Sequence, residues 1–174
     1  MPENGSPGFY VKEGGKLFEK GEKIIYGKTG VCVVEDIAER AVPGGKRLYY
    51  TLRPLYQSGN VIFAPADSDK IFMRPIITRQ DAEKLIEDVP KIRESALSDG
   101  FSDETEIRSC EELLQLAISI YERRKEARRM KRKLSFTYEN RLHRAEQVLF
   151  GELAAVLEVE PESVPGLLFA AIKD

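Results

Sequence analysis

The chain has 174 residues, 42% of them apolar, enough for one ordinary domain or two small ones with packed cores. Its 27 basic and 29 acidic residues leave a formal charge of −2, so a nucleic-acid surface can exist only as a local patch. No apolar run approaches the roughly 18 residues that span a bilayer, no basic-then-apolar leader opens the chain, and Cys32 and Cys110 lack the spacing of a zinc knuckle or disulfide scaffold, so a cytoplasmic, reducing location is expected.

Residues 1–16 (MPENGSPGFYVKEGGK) are rich in Gly, Pro and polar side chains and are expected to be a flexible tail or an expression remnant. From Leu17 to Pro75, short β-branched and aromatic runs alternate with glycine or proline, the signature of strands and tight turns. Strands are expected over residues 23–26, 30–37, 48–52, 60–64 and 70–74, with a hairpin at Pro43-Gly44-Gly45. Five short strands in so few residues predict a small SH3-like or Tudor-like β-barrel, because closure removes exposed strand edges.

Beyond Pro75 the apolar period changes from two to about 3.6. Thr78-Arg79-Gln80-Asp81 opens a helix that should end near Asp88, before Pro90, and Ser109-Cys110-Glu111-Glu112 is a capping box. The helix it starts carries Leu113, Leu116, Ala117 and Ile120 on one face. Another holds Leu142, Ala145, Val148, Leu149, Leu153, Val156 and Leu157 and ends near Glu158, and a short apolar helix follows Pro161 or Pro165. The fold class expected is therefore α+β with two domains, a barrel over residues 17–75 and an all-α domain over residues 76–174.

Charge divides the helical half. Residues 79–112 hold 11 acidic and 5 basic side chains, whereas residues 119–144 hold 3 acidic and 10 basic ones. That excess exceeds what pairing along a helix can absorb, so Arg124, Arg128, Arg129, Lys131, Arg132, Lys133, Arg141 and Arg144 are candidate phosphate contacts.

Enzymatic motifs fail on spacing. Gly27-Lys28-Thr29 imitates the end of a phosphate-binding loop, but Glu22 stands where its first glycine belongs, and a strand follows instead of a helix. The single histidine, His143, has no nucleophile or carboxylate at a catalytic spacing, and Asp67-Ser68-Asp69 reads as a turn. No catalytic, cofactor or metal role is expected, and a binding protein is.

The order of these halves, and specific residues in them, resemble the CarD/CdnL family of bacterial RNA polymerase-binding transcription regulators. Phe18 to Tyr26 (FEKGEKIIY), Gly30-Val31, Val34-Glu35-Asp36-Ile37, Tyr49-Tyr50-Thr51-Leu52, Ala64-Pro65 and Met73-Arg74-Pro75 are similar to the family's opening domain. Lys133-Leu134-Ser135 and Arg144 to Ala154 are similar to its last long helix. The resemblance implies a polymerase-interacting domain, shared with transcription-repair coupling factors, that adds an edge strand to the polymerase β subunit. Val61, Ile62 and Phe63 would lie in that strand, with Arg40 at a nearby basic position. It further implies promoter DNA as the helical domain's partner.

Two departures accompany the resemblance. Phe63 stands where many relatives carry an arginine, two residues before the proline. The chain also lacks the tryptophan that relatives wedge into DNA; its region, residues 91–101, offers only Phe101, so little preference for forked over plain duplex is expected. The alternative is an adaptor of the same architecture that binds another protein or RNA.

Overall fold

The computed structural model describes residues 17–98 and 109–170. The chain forms two compact units that divide between Pro75 and Ile76.

The first unit is a five-stranded antiparallel sheet: β1 Lys23–Tyr26, β2 Gly30–Val42, β3 Gly45–Pro54, β4 Ile62–Pro65 and β5 Met73–Pro75, in the spatial order β4-β3-β2-β1-β5. The expected barrel does not close, because β4 and β5 stand at opposite edges of the sheet instead of pairing with each other. One face holds the core, built from Ile24, Tyr26, Cys32, Val34, Tyr50, Leu52, Ala64, Ala66 and Met73, with Leu17, Phe18, Ile37, Leu48 and Ile62 packed on it. Tyr50 is 2% exposed, and its hydroxyl accepts a 3.2 Å hydrogen bond from the Phe18 amide, which ties the entering chain to the sheet.

β2 and β3 are longer than their apolar runs suggest and form a hairpin whose last pair is Val42↔Gly45. Its loop is Pro43-Gly44: proline presets the first turn residue and Gly44, at φ 94°, takes the second, a position that disfavours any side chain. A bulge between Val34 and Asp36 inserts Glu35 and changes the parity of β2. It keeps Ile37 on the core side with Cys32 and Val34, and it puts Asp36, Ala38 and Arg40 on the outer face. Gly27-Lys28-Thr29 forms a single 3-10 turn between β1 and β2. A side chain at Gly27 would come within 2.7 Å of Ile71, so this tight turn requires glycine there.

The second unit contains α1 Arg79–Glu87, α2 Val89–Ser98, α3 Cys110–Arg129, α4 Phe136–Leu157 and the short α5 Val164–Phe169. Thr78 and Ser109 cap α1 and α3 as their sequences predict; the Ser109 hydroxyl accepts from the Glu112 amide at 3.1 Å and Glu112 accepts from the Ser109 amide at 3.0 Å. Helix α1 ends at Glu87 with Asp88 as its C-cap, as expected, but Pro90 does not keep the next segment from being helical. It sits in the first turn of α2, where an amide has no helical partner to lose, and Asp88 alone separates α2 from α1.

Helices α3 and α4 form the centre of this unit. The first half of α3 is buried on several sides, Leu114 and Ile118 as well as the expected Leu113, Leu116, Ala117 and Ile120, because α2 and α4 both pack on it. Leu142, Leu149 and Leu153 of α4, together with Val164 and Leu168, complete that core. Glu152 is fully buried on α4 and accepts a 3.0 Å hydrogen bond from the Ile77 amide, which fixes the segment entering α1.

Candidate functional site

Two surfaces carry the residues singled out by sequence, one in each unit. In the first, β4 has β3 on one side and no strand on the other among the described residues. The direction of each amide follows from the register. Ala66 donates to the Leu48 carbonyl at 2.9 Å, continuing the β3–β4 pairing in which Tyr50 faces Ala64 and Leu52 faces Ile62. Bonded pairs alternate in an antiparallel ladder, so Ala64 and Ile62 turn their backbone groups toward β3, whereas Val61 and Phe63 turn theirs toward the open edge. Ile62 therefore belongs to the internal ladder and Phe63 offers the outward donor and acceptor. Pro65 is the next outward residue; it supplies a carbonyl but no amide, which confines a full ladder to the stretch before it.

Side chains reinforce this edge. Val61 is 42% and Phe63 49% exposed, large values for apolar residues on a packed sheet. The Arg40 guanidinium reaches across the outer face and lies 3.8 Å from the centre of the Phe63 ring, a stacked cation–π contact that joins two residues distant in sequence. Arg47, opposite Arg40 on β3, is instead bound to Asp67 at 2.7 Å. Lys20, Asp36, Arg40, Thr51 and Phe63 line a shallow groove beside the strand. On the core side of this unit, burial pushes the Cys32 thiol up to about 11, so it stays protonated at neutral pH.

The second surface lies at the far end of α3. The structure spends part of the basic segment internally. Arg124 forms a two-pronged pair with Glu139 of α4, through Nε at 3.2 Å and through its terminal nitrogen, and lies over the Tyr121 ring. Arg123 donates to the Tyr138 hydroxyl at 3.0 Å, and Arg129 pairs with Glu126 at 3.4 Å. Glu122 is held from α2 by Arg93 at 2.8 Å. All three carboxylates of residues 119–144 are thus engaged, and Arg124, a sequence candidate for DNA, ties α3 to α4. Burial and the Glu146 carboxylate that accepts its hydroxyl both push the Tyr121 phenol up, so it remains a neutral donor in this cluster.

Arg128, Lys131, Arg132, Lys133 and Arg144 are exposed, and Arg141 is partly buried. Three of them belong to the loop of residues 130–135 that joins α3 to α4. That loop starts with a Schellman turn: the Lys131 amide donates to the Arg128 carbonyl at 3.0 Å and the Arg132 amide to the Ala127 carbonyl at 2.7 Å. Lys131 occupies its left-handed position at φ 55°, where glycine is usual. Phe101 lies outside the described residues. The exposed aromatic ring that sequence reasoning missed is Phe136, 79% exposed in the first turn of α4. Its signal was available: it is the apolar residue out of step with the spacing that buries Leu142 and Ala145.

An open sheet edge with an apolar, cation-backed strand is a surface to which a partner's strand can add. Residues 18–77 match the family model of the CarD-like/TRCF RID domain, an RNA polymerase-interacting domain of transcription factors, and the first unit of this chain is such a domain. No curated protein is significantly similar to the chain. No helix among the described residues is long and apolar enough to cross a membrane.

Proposed function

We propose that the protein is a transcription regulator that docks on the β subunit of RNA polymerase through the outward edge of β4 and contacts promoter DNA through the exposed end of α3 and the loop that follows. The observation that carries this reading is the coincidence of the CarD-like domain with an open edge at the strand bearing Ile62 and Phe63, which Val61 immediately precedes. Phe63 and Arg40 act there as one unit. The ring covers the edge with apolar area, and the guanidinium stacked on it presents donors to a carboxylate of the partner.

The helical unit contributes phosphate contacts from Arg128, Arg129, Lys131, Arg132, Lys133, Arg141 and Arg144. Engaging about four phosphates gives a slope of log K against log salt of roughly −3 to −4, with little preference among duplex sequences. Titration of the full chain with the isolated β-subunit lobe, and separately with duplex DNA at several salt concentrations, tests both halves. Lobe binding without DNA binding would reduce the protein to a polymerase-bound adaptor. Absence of lobe binding would remove the docking claim.

A further inference from the structure

We propose that the loop between α3 and α4 binds an unpaired nucleotide, with the base stacked on Phe136 and adjoining phosphates held by Lys131, Arg132 and Lys133. The proposal rests on the nucleic-acid reading of the helical unit and adds to it the form of nucleic acid preferred and the residue that selects it.

Three observations converge on this loop. Phe136 is 79% exposed while Leu142 and Leu149 of the same helix are completely buried, so the fold leaves one large ring uncovered. Lys131, Arg132 and Lys133 make no ion pair among the described residues, because the carboxylates of residues 119–144 are taken by Arg93, Arg124 and Arg129. The backbone is also held: the two hydrogen bonds of the Schellman turn fix the start of the loop, and α4 fixes its end. Consecutive cations beside a single exposed ring match a nucleotide's two recognisable parts, a charged backbone and a π-face. The hydrogen bonds of the turn reduce the ordering that the start of the loop must undergo on binding.

A lipid surface is the competing anionic partner. Insertion into a headgroup layer draws on an extended apolar helix face, whereas the exposed large apolar side chains beside this loop are Met130 and Phe136 alone among the described residues. One ring suffices for a base. Phe136 also changes the expectation for forked DNA, because a stacking aromatic is present although it stands far from Phe101 in sequence.

The test uses the full chain and four probes: plain duplex DNA, the same duplex with one bulged 2-aminopurine, a short oligothymidine, and vesicles of phosphatidylserine and phosphatidylcholine. Binding is followed by anisotropy and by 2-aminopurine emission. Phe136→Ala should weaken the bulged duplex and oligothymidine by roughly five- to hundredfold, change plain duplex by less than about twofold, and abolish the emission change. Phe136→Trp should restore all three. Since the ring is outside the core, circular dichroism should show both variants folded. Plain-duplex binding with no Phe136 dependence on any probe overturns this proposal alone. Failure of every nucleic acid to bind overturns the reading beneath it. Vesicle binding that requires Phe136, in place of oligonucleotide binding, assigns the loop to lipid and overturns both.

Discussion

Replacing Phe63 by proline should sharply weaken polymerase binding while leaving the sheet folded. The amide of Phe63 faces the open edge, so its loss spares the β3–β4 ladder, and Pro65 shows that this strand accepts proline at an outward position. In a strand-addition complex the substitution removes one intermolecular hydrogen bond, worth about 0.5–1.5 kcal/mol net, and strands a carbonyl of the partner at about 1–3 kcal/mol. A total of about 1.5–4.5 kcal/mol corresponds to a roughly 10- to 2000-fold weaker complex. Phe63→Ala separates ring from backbone. It removes the contact with Arg40, about 0.5–1 kcal/mol at an exposed site, together with apolar cover, and keeps the amide. Ile62→Pro is the contrasting variant, since its amide faces β3 and its loss should destabilise the first unit itself. Calorimetric titration of each variant with the isolated β-subunit lobe, beside thermal melts, gives the comparison. A folded Phe63→Pro protein that binds like wild type would refute strand addition at this edge.

Other expectations follow from the same geometry. Arg40→Glu should weaken lobe binding by on the order of 1 kcal/mol, through loss of charge-assisted donors, without lowering the melting temperature. Replacing Arg128, Arg132 and Lys133 together by alanine should reduce the magnitude of the DNA salt slope by about two to three, whereas Arg124→Ala should leave the slope unchanged and lower stability by roughly 1 kcal/mol, because its partner is Glu139. Lys131→Gly should stabilise the second unit by about 1 kcal/mol by relieving a left-handed residue, seen as a melting temperature raised by several degrees. Burial raises the Cys32 thiol from 9.0 to about 11, so the folded protein binds more protons than the unfolded chain across that interval. Stability should therefore be complete below about pH 9 and fall as pH approaches 11, and Cys32→Ala should flatten part of that fall in a melting series.

Local chemistry made much of the fold legible. Thr78 and Ser109 stand at helix starts because their hydroxyls serve the orphan amides, and Pro43-Gly44 turns a hairpin because its residues fit the required dihedrals. The misreadings came where a local rule met a wider context. The first helix ends before Pro90 as its pattern indicates, but the sequence reading has no helix after it, because a proline in a first turn removes nothing and α2 begins there. Closure of the barrel depends on long-range pairing of β4 with β5, which no short-range pattern encodes. The hairpin outran its apolar runs because the Glu35 bulge changes parity and lets Ala38 to Val42 pair without filling the core. At the candidate surfaces, composition identified the cationic segment but could not show that Arg124 is committed to Glu139, a partner 15 residues away on the next helix. The stacking of Arg40 on Phe63 is equally a product of tertiary structure.

The most direct test of the account is hydrogen exchange of backbone amides with and without RNA polymerase. Docking by strand addition at β4 predicts new protection of the Phe63 amide, with Val61 beside it, while Ile62 and Ala64 are already protected by β3 and the opposite edge at Met73–Pro75 is unchanged. Protection confined to the β5 edge, or a Phe63 amide that exchanges as fast in the complex as in the free protein, would contradict it.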